Sequence, residues 1–310
     1  MMMKKNIHAL PKFGVLLSII FLLTSCVKEL DGYLEAHEKH LVVNSMISPG
    51  GPLQVQLNES LPVNAQMQYP LITDAVVFMK PERQPLQQLY PDDSLYRYYQ
   101  NPQYGSTYEL IVVTSGADTL SATTTIPEPP KITGTKLYYT NLYDDYGDRI
   151  TGAEITIKDS AETDDFYCFY LVDFYNYYRL NDPAIIAEGI LQYEPDLIFF
   201  SDKLFNGQSY TLKLLYIGSS HVNYDNIPRP ERIIFRSISK TYYDFLSSWT
   251  LHRYNQNTIV SDENIQYNLE QLYFKGEPVE LYSNISGGRG LFAGYADTVI
   301  ELSAENDRNQ

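Results

Sequence analysis

Apolar and polar residues alternate along most of this chain with a period of two. Leu53-Gln54-Val55-Gln56-Leu57 is the clearest case: aliphatic groups fall on one face and amides on the other, as a half-buried strand requires. Similar runs at Leu41–Met46, Ala75–Met79, Leu95–Tyr99, Tyr108–Thr114 and Thr119–Ile126 predict further strands. Turn-forming clusters separate them, namely Pro49-Gly50-Gly51-Pro52, Pro91-Asp92-Asp93 and Ser115-Gly116-Ala117-Asp118. Short strands at that spacing predict a β-sandwich over residues 41–126.

Pro127-Glu128-Pro129-Pro130 then marks a boundary, because proline donates nothing to a ladder and favours a stiff connector. The β texture resumes over residues 131–303 with longer loops. Candidate strands there are Ile132–Thr140, Ala153–Lys158, Phe166–Tyr175, Gln208–Ile217, Ile233–Ser237 and Val299–Leu302. Ala184–Leu204 resists assignment, since Glu194-Pro195-Asp196 interrupts its apolar runs. A helix is expected near 240–254. Ser239 serves as its N-cap, and Tyr242, Phe245, Leu246, Trp249 and Arg253 follow helical spacing. That stripe is expected to lay Phe245 and Trp249 against a sheet. The fold class is therefore mainly β: two β-sandwich-like domains, the second carrying one amphipathic helix. Residues 304–310 read as a polar tail.

The first residues read as a processing signal and stay outside the fold. Lys4, Lys5 and Lys12 supply a positive start, and Phe13–Leu23 is an apolar run too short for a permanent span, which needs about 20 residues. Leu23-Thr24-Ser25-Cys26 follows, and it resembles the bacterial lipobox. The resemblance implies cleavage of residues 1–25, with Leu23, Thr24 and Ser25 read by the peptidase, and acylation of Cys26. Residues 26–40 then form a lipidated tether into outer-membrane lipid; more than one acyl chain is needed for stable anchoring. Val27-Lys28-Glu29-Leu30-Asp31 resembles the surface-export signal of Bacteroidetes-type lipoproteins, and it reads equally as a solvated tether.

Charge narrows the partners. Residues 1–25 hold three lysines and no acid, so the remainder keeps 20 basic against 38 acidic residues, a formal charge of −18. Such a surface is repelled by nucleic acid and by anionic lipid. Tyrosine is abundant, at 28 residues beside 13 Phe and one Trp. Strand-rich structure explains most of these, and a binding surface would use the rest. With Cys26 committed to lipid, Cys168 has no partner for an intrachain disulfide, and its neighbours Phe166, Tyr167, Phe169 and Tyr170 suggest a buried thiol.

Motifs for catalysis are sparse. No HExxH, CxxC, nucleophile elbow or Walker-type loop is present, and no cofactor is implied. Beyond the tether, only His221 and His252 could serve a dispersed hydrolase site. Asp144, Asp145 and Asp148 gather oxygen ligands around Gly147 as a calcium loop does, without the full EF-hand pattern; a solvated loop is the plainer reading. Ser286-Gly287-Gly288-Arg289-Gly290 lies between strand-like runs and has no helix after it. A close approach of strands explains it better than a phosphate cradle.

Several segments carry resemblances. Tyr104–Tyr108 with the strand, hairpin and strand after it resembles the end of a transthyretin-like or fibronectin-like module. The run from Tyr282 to Tyr295 resembles a closing signature in which Tyr282, Ser283, Asn284, Gly288, Gly290, Phe292, Gly294 and Tyr295 are the marked positions. Ser239–Leu246, the Ser201–Gly207 turn and the Ala122–Pro130 exit match the same pattern. Together they resemble the domain-of-unknown-function 4249 family of Bacteroidetes-type outer-membrane lipoproteins. That resemblance implies an accessory, non-catalytic binding role beside a TonB-dependent nutrient transporter, and it carries over no catalytic residue. A structural or adhesive surface protein and a hydrolase with a dispersed site are the alternatives. The ligand, small molecule or peptide, stays unassigned.

Overall fold

The alternating runs fold as strands. The computed structural model describes residues 38–62, 71–116, 119–147, 149–172, 174–193, 195, 197–218, 231–256, 277 and 279–302. Lys39–Gln310 forms one compact unit and Met1–Glu38 another. The first unit in chain order lies almost wholly outside the described residues, and so do Leu23, Thr24, Ser25 and Cys26.

In the larger unit the first seven strands are β1 (Leu41–Ile47), β2 (Leu53–Glu59), β3 (Val76–Pro81), β4 (Gln87–Asp92), β5 (Leu95–Tyr98), β6 (Thr107–Val113) and β7 (Thr119–Thr125). Their alternation is the expected one: Tyr108, Leu110 and Val112 of β6 are buried while the residues between them are partly exposed. Strand β4 corrects the expected turn at Pro91-Asp92-Asp93. Pro91 and Asp92 end the strand opposite Tyr96 and Leu95, and the turn is Asp93-Ser94. Pro91 is tolerated because β3 pairs only with Gln87–Leu89, which leaves the end of β4 a neighbour on one side. Asp93 takes φ 53, a value that tight hairpins demand and aspartate accepts.

The remaining strands are β8 (Ile132–Tyr143), β9 (Arg149–Lys158), β10 (Phe166–Val172), β11 (Phe174–Arg179), β12 (Ile198–Ser201), β13 (Ser209–Gly218), β14 (Glu231–Ile238) and β15 (Arg289–Leu302). The run expected as one strand at Phe166–Tyr175 divides between two sheets, β10 pairing with β14 and β11 with β13. Alternation alone cannot separate one long strand from two consecutive ones. The unassigned stretch holds a short helix α1 (Pro183–Ile186), a 3-10 turn (Leu191–Tyr193) and β12. Asp182 caps α1, its carboxylate accepting from the Ala184 N–H at 3.0 Å, with Pro183 in the first turn.

Helix α2 (Lys240–Gln256) begins after Ser239, whose hydroxyl accepts from the Tyr242 N–H at 3.3 Å. The face it buries differs from the expected one. Tyr242, Leu246 and Thr250 are buried, Phe245 is half-buried and Trp249 is 38% exposed. A spacing of four selects the buried stripe, and Trp249 lies one residue off it, stacked on Phe245 with centroids 6.3 Å apart.

Two sheets organise these elements: one of eleven strands, ordered β12-β10-β14-β15-β1-β2-β5-β4-β3-β6-β7, and one of four, ordered β11-β13-β9-β8. Strand β15 joins the chain's two halves. Its first residues run parallel to β1, from Val42↔Arg289 to Ile47↔Gly294, and the rest runs antiparallel to β14. Beyond β1 the sheet curls round a core that includes Val43, Val55, Val77, Leu110 and Phe292. Its far edge, β7, meets the segment leading into β15 through a Ser121↔Ser286 bridge. A second core lies between β9 and β13 of the small sheet and β10, β12 and β14 of the large one. A third sits under α2, with Cys168, Leu291 and Ala293. Strand β10 is thus buried on both faces, which explains its unbroken apolar sequence.

Candidate functional site

The closing signature does structural work. Asn284 stands opposite Phe292 as a substitute strand partner: its carboxamide oxygen accepts from the Phe292 N–H at 2.9 Å and its amide donates to the Phe292 carbonyl at 2.8 Å. The same amide reaches the Thr123 carbonyl of β7 at 3.3 Å. Phe292 fills the first core without exposure. Gly290 has φ 118, and a Cβ there would stand 1.9 Å from the Val43 carbonyl oxygen. A Cβ on Gly294 would press on the Thr125 carbonyl at 2.5 Å. Gly288 packs against Leu120 and the Leu41 carbonyl. Ser283 accepts from the Ile285 N–H, and the Tyr282 N–H donates to Ser248 of α2. The Tyr295 ring lies 3.9 Å from the Arg236 guanidinium, which also pairs through two contacts with Asp297. The expected close approach of strands is therefore what the glycines serve.

A cleft of about 790 Å³ opens where β7 leaves the first core. Its lining comprises Gly105 and residues 123–131, 158–160, 162–167 and 237–241. The proline run Pro127–Pro130, expected as a plain connector, forms one side. The start of α2 forms another, where the Ser239 hydroxyl lies 2.9 Å from that of Thr241, and Thr241 lies 3.3 Å from Thr124. Aromatic surface is limited to Phe166 and Tyr167, and the lining is mixed: Ile126, Ile238 and the prolines supply apolar surface beside the carboxylates, amines and hydroxyls.

Three carboxylates crowd its edge. Asp159 follows β9, Asp165 precedes β10 and Asp202 follows β12, and a ligand atom from each lies within 4.8 Å of the others. Asp159 accepts from the Tyr167 hydroxyl at 2.7 Å and the Gly207 N–H at 2.8 Å. Asp202 accepts from the Asp165 N–H at 2.9 Å. Burial, reinforced by the charges of Asp159 and Asp202, pushes the Asp165 carboxyl up to about 6, against a bond from Thr163. Burial likewise raises Asp202. The trio can share a proton or attract a cation. Sequence reasoning misses it: its members come from three separate segments, and only Asp202 belongs to a motif, the Ser201–Gly207 turn.

Asp144, Asp145, Cys168 and His252 are not on the lining of this cleft. The Asp144 carboxylate accepts from the Tyr146 N–H at 3.0 Å within its own turn, and Asp148 falls outside the described residues. His252 contacts the Val279 carbonyl through Nδ1 at 2.6 Å and stacks near Trp249. His221 is outside the described residues. Cys168 is buried, as its neighbours suggested, and burial pushes its thiol up to about 12. No helix among the described residues is long and apolar enough to cross a membrane.

Comparison with curated proteins gave no match. Among solved structures the chain is similar to one described as "Biofilm associated protein - BSP domain", at 6% identity over 64% of this chain. It spans only 55% of that chain, and the TM-score of 0.18 carries no argument. The family comparison is decisive, and it agrees with the signature that clasps β7 to β15. A family model described as "Domain of unknown function (DUF4249)" matches residues 27–301, and this chain belongs to that family.

Proposed function

We propose that this chain is a lipid-anchored protein of the cell envelope that works by binding, as an accessory to a TonB-dependent outer-membrane transporter. The observation that carries the binding role is the cleft of about 790 Å³ beside Asp165, of mixed polar and apolar lining and within the size range of small-molecule sites. The leader that ends at Cys26 supports the anchor, and the acidic surface suits a body held off an anionic bilayer. In this reading the lipid on Cys26 keeps the cleft near the membrane, and the folded body hands its ligand to a barrel. The role is non-catalytic.

Affinity capture of the lipidated chain in mild detergent tests this. Recovery of an outer-membrane barrel, identified by mass spectrometry, is the expected result. Isolation as a lone monomer under the same conditions contradicts the accessory role.

A further inference from the structure

Charge around the cleft is unbalanced. Five carboxylates line it, those of Glu128, Asp159, Glu162, Asp164 and Asp165, against the amines of Lys131, Lys158 and Lys240. Lys240 is paired with Asp244 on its own helix. Among the described residues, no lysine or arginine side chain forms an ion pair with any of the five acids. Elsewhere this protein does pair its acids, as Glu188 with Lys203 and Asp297 with Arg236 show.

Building on the ligand-capture reading, we propose that this cleft takes a small organic molecule bearing protonated amines. The feature is the cavity, and its carboxylates, which outnumber its amines five to three, set the sign of what enters. Its volume is far beyond that of a single ion. The acids also come from separate segments: the proline run, the end of β9 and the loop before β10. Of the five, Asp159 and Asp165 converge with Asp202, whereas Glu128, Glu162 and Asp164 stand outside that trio. Several spaced amines match the whole wall better than one metal ion, which needs all its oxygens on a point at about 2.3–2.6 Å. Asp159 and Asp202 already accept bonds from Tyr167, Gly207 and Asp165. The hydroxyls of Thr123, Thr125 and Ser237 on the same lining add neutral acceptors for N–H donors.

Isothermal titration of the whole chain with spermidine at pH 7.5 tests the proposal, with calcium chloride and sodium glutamate titrated in parallel. Saturable spermidine binding at one site is expected, weakened at least about tenfold in the Asp164→Asn/Asp165→Asn double variant. Glu162→Gln provides a second, independent variant with a weakening of the same direction. Asp144→Asn/Asp145→Asn removes equal charge away from the cleft and is expected to leave binding unchanged. Absence of saturable binding overturns the proposal. So does equal weakening by the control pair, or calcium occupying the site in preference to spermidine. Failure here alongside successful capture of a transporter rejects the ligand class alone, whereas failure of the capture rejects the accessory role itself.

Discussion

At the scale of single residues, the signature behaves as a clasp. Asn284→Ala removes three bonds to backbone groups, at an expected cost of about 1–3 kcal/mol. Gly290→Ala should cost more, since it strains a positive φ and drives a methyl group into the Val43 carbonyl. Thermal melts check both, and a Gly290→Ala variant as stable as the parent would refute the clasp. Asp165 makes the opposite kind of prediction. Its folded-state carboxyl titrates at about 6, above its ordinary 3.8, so folding binds a proton more tightly than the unfolded chain does. Stability is therefore fully retained below the ordinary value and lost as pH rises through about 6. Asp159, Asp202 and the Tyr167 hydroxyl face this group, and none supplies a positive charge. Asp165→Asn should melt higher than the parent at pH 8, and the gain should vanish by about pH 3. A gain undiminished at about pH 3 would assign the effect to packing instead of charge. The signature residues were visible in the sequence because they are contiguous. The aspartate trio was not, because only folding brings Asp159, Asp165 and Asp202 together.

At the scale of elements, strands with one buried face were the most legible. β1, β2, β6 and β7 lie within a residue or two of their expected ends, because a half-exposed strand shows its period directly. Elements buried on both faces were read less well. β10 and the first half of β15 show no alternation, and β4 was hidden behind a proline. Helix α2 was legible from its cap and spacing, though not the face it buries. The buried face gives a test. Leu246→Ala should cost about 2–5 kcal/mol, as deletion of a well-packed leucine does. Trp249→Ala should cost less than about 1 kcal/mol, despite the larger side chain. Denaturant unfolding of both variants ranks them, and a costlier Trp249→Ala would mean that the helix docks through the other face.

At the scale of the whole molecule, β15 explains why a signature near the end of the chain governs its first half. By pairing with β1 and β14 it holds two cores on one strand, and the cleft opens beside that junction. In the proposed reading the lipobox-like leader supplies a tether, and the charge of −18 after Cys26 gives a surface that anionic lipid repels. Placement at the membrane is the claim on which capture and hand-over depend. Intact-mass and peptide analysis of the chain purified from membranes tests it most directly. The expected result is an N-terminus at Cys26 carrying diacylglycerol on sulfur and an acyl group on the amine. An unacylated Cys26, or a chain that still carries residues 1–25, would contradict it.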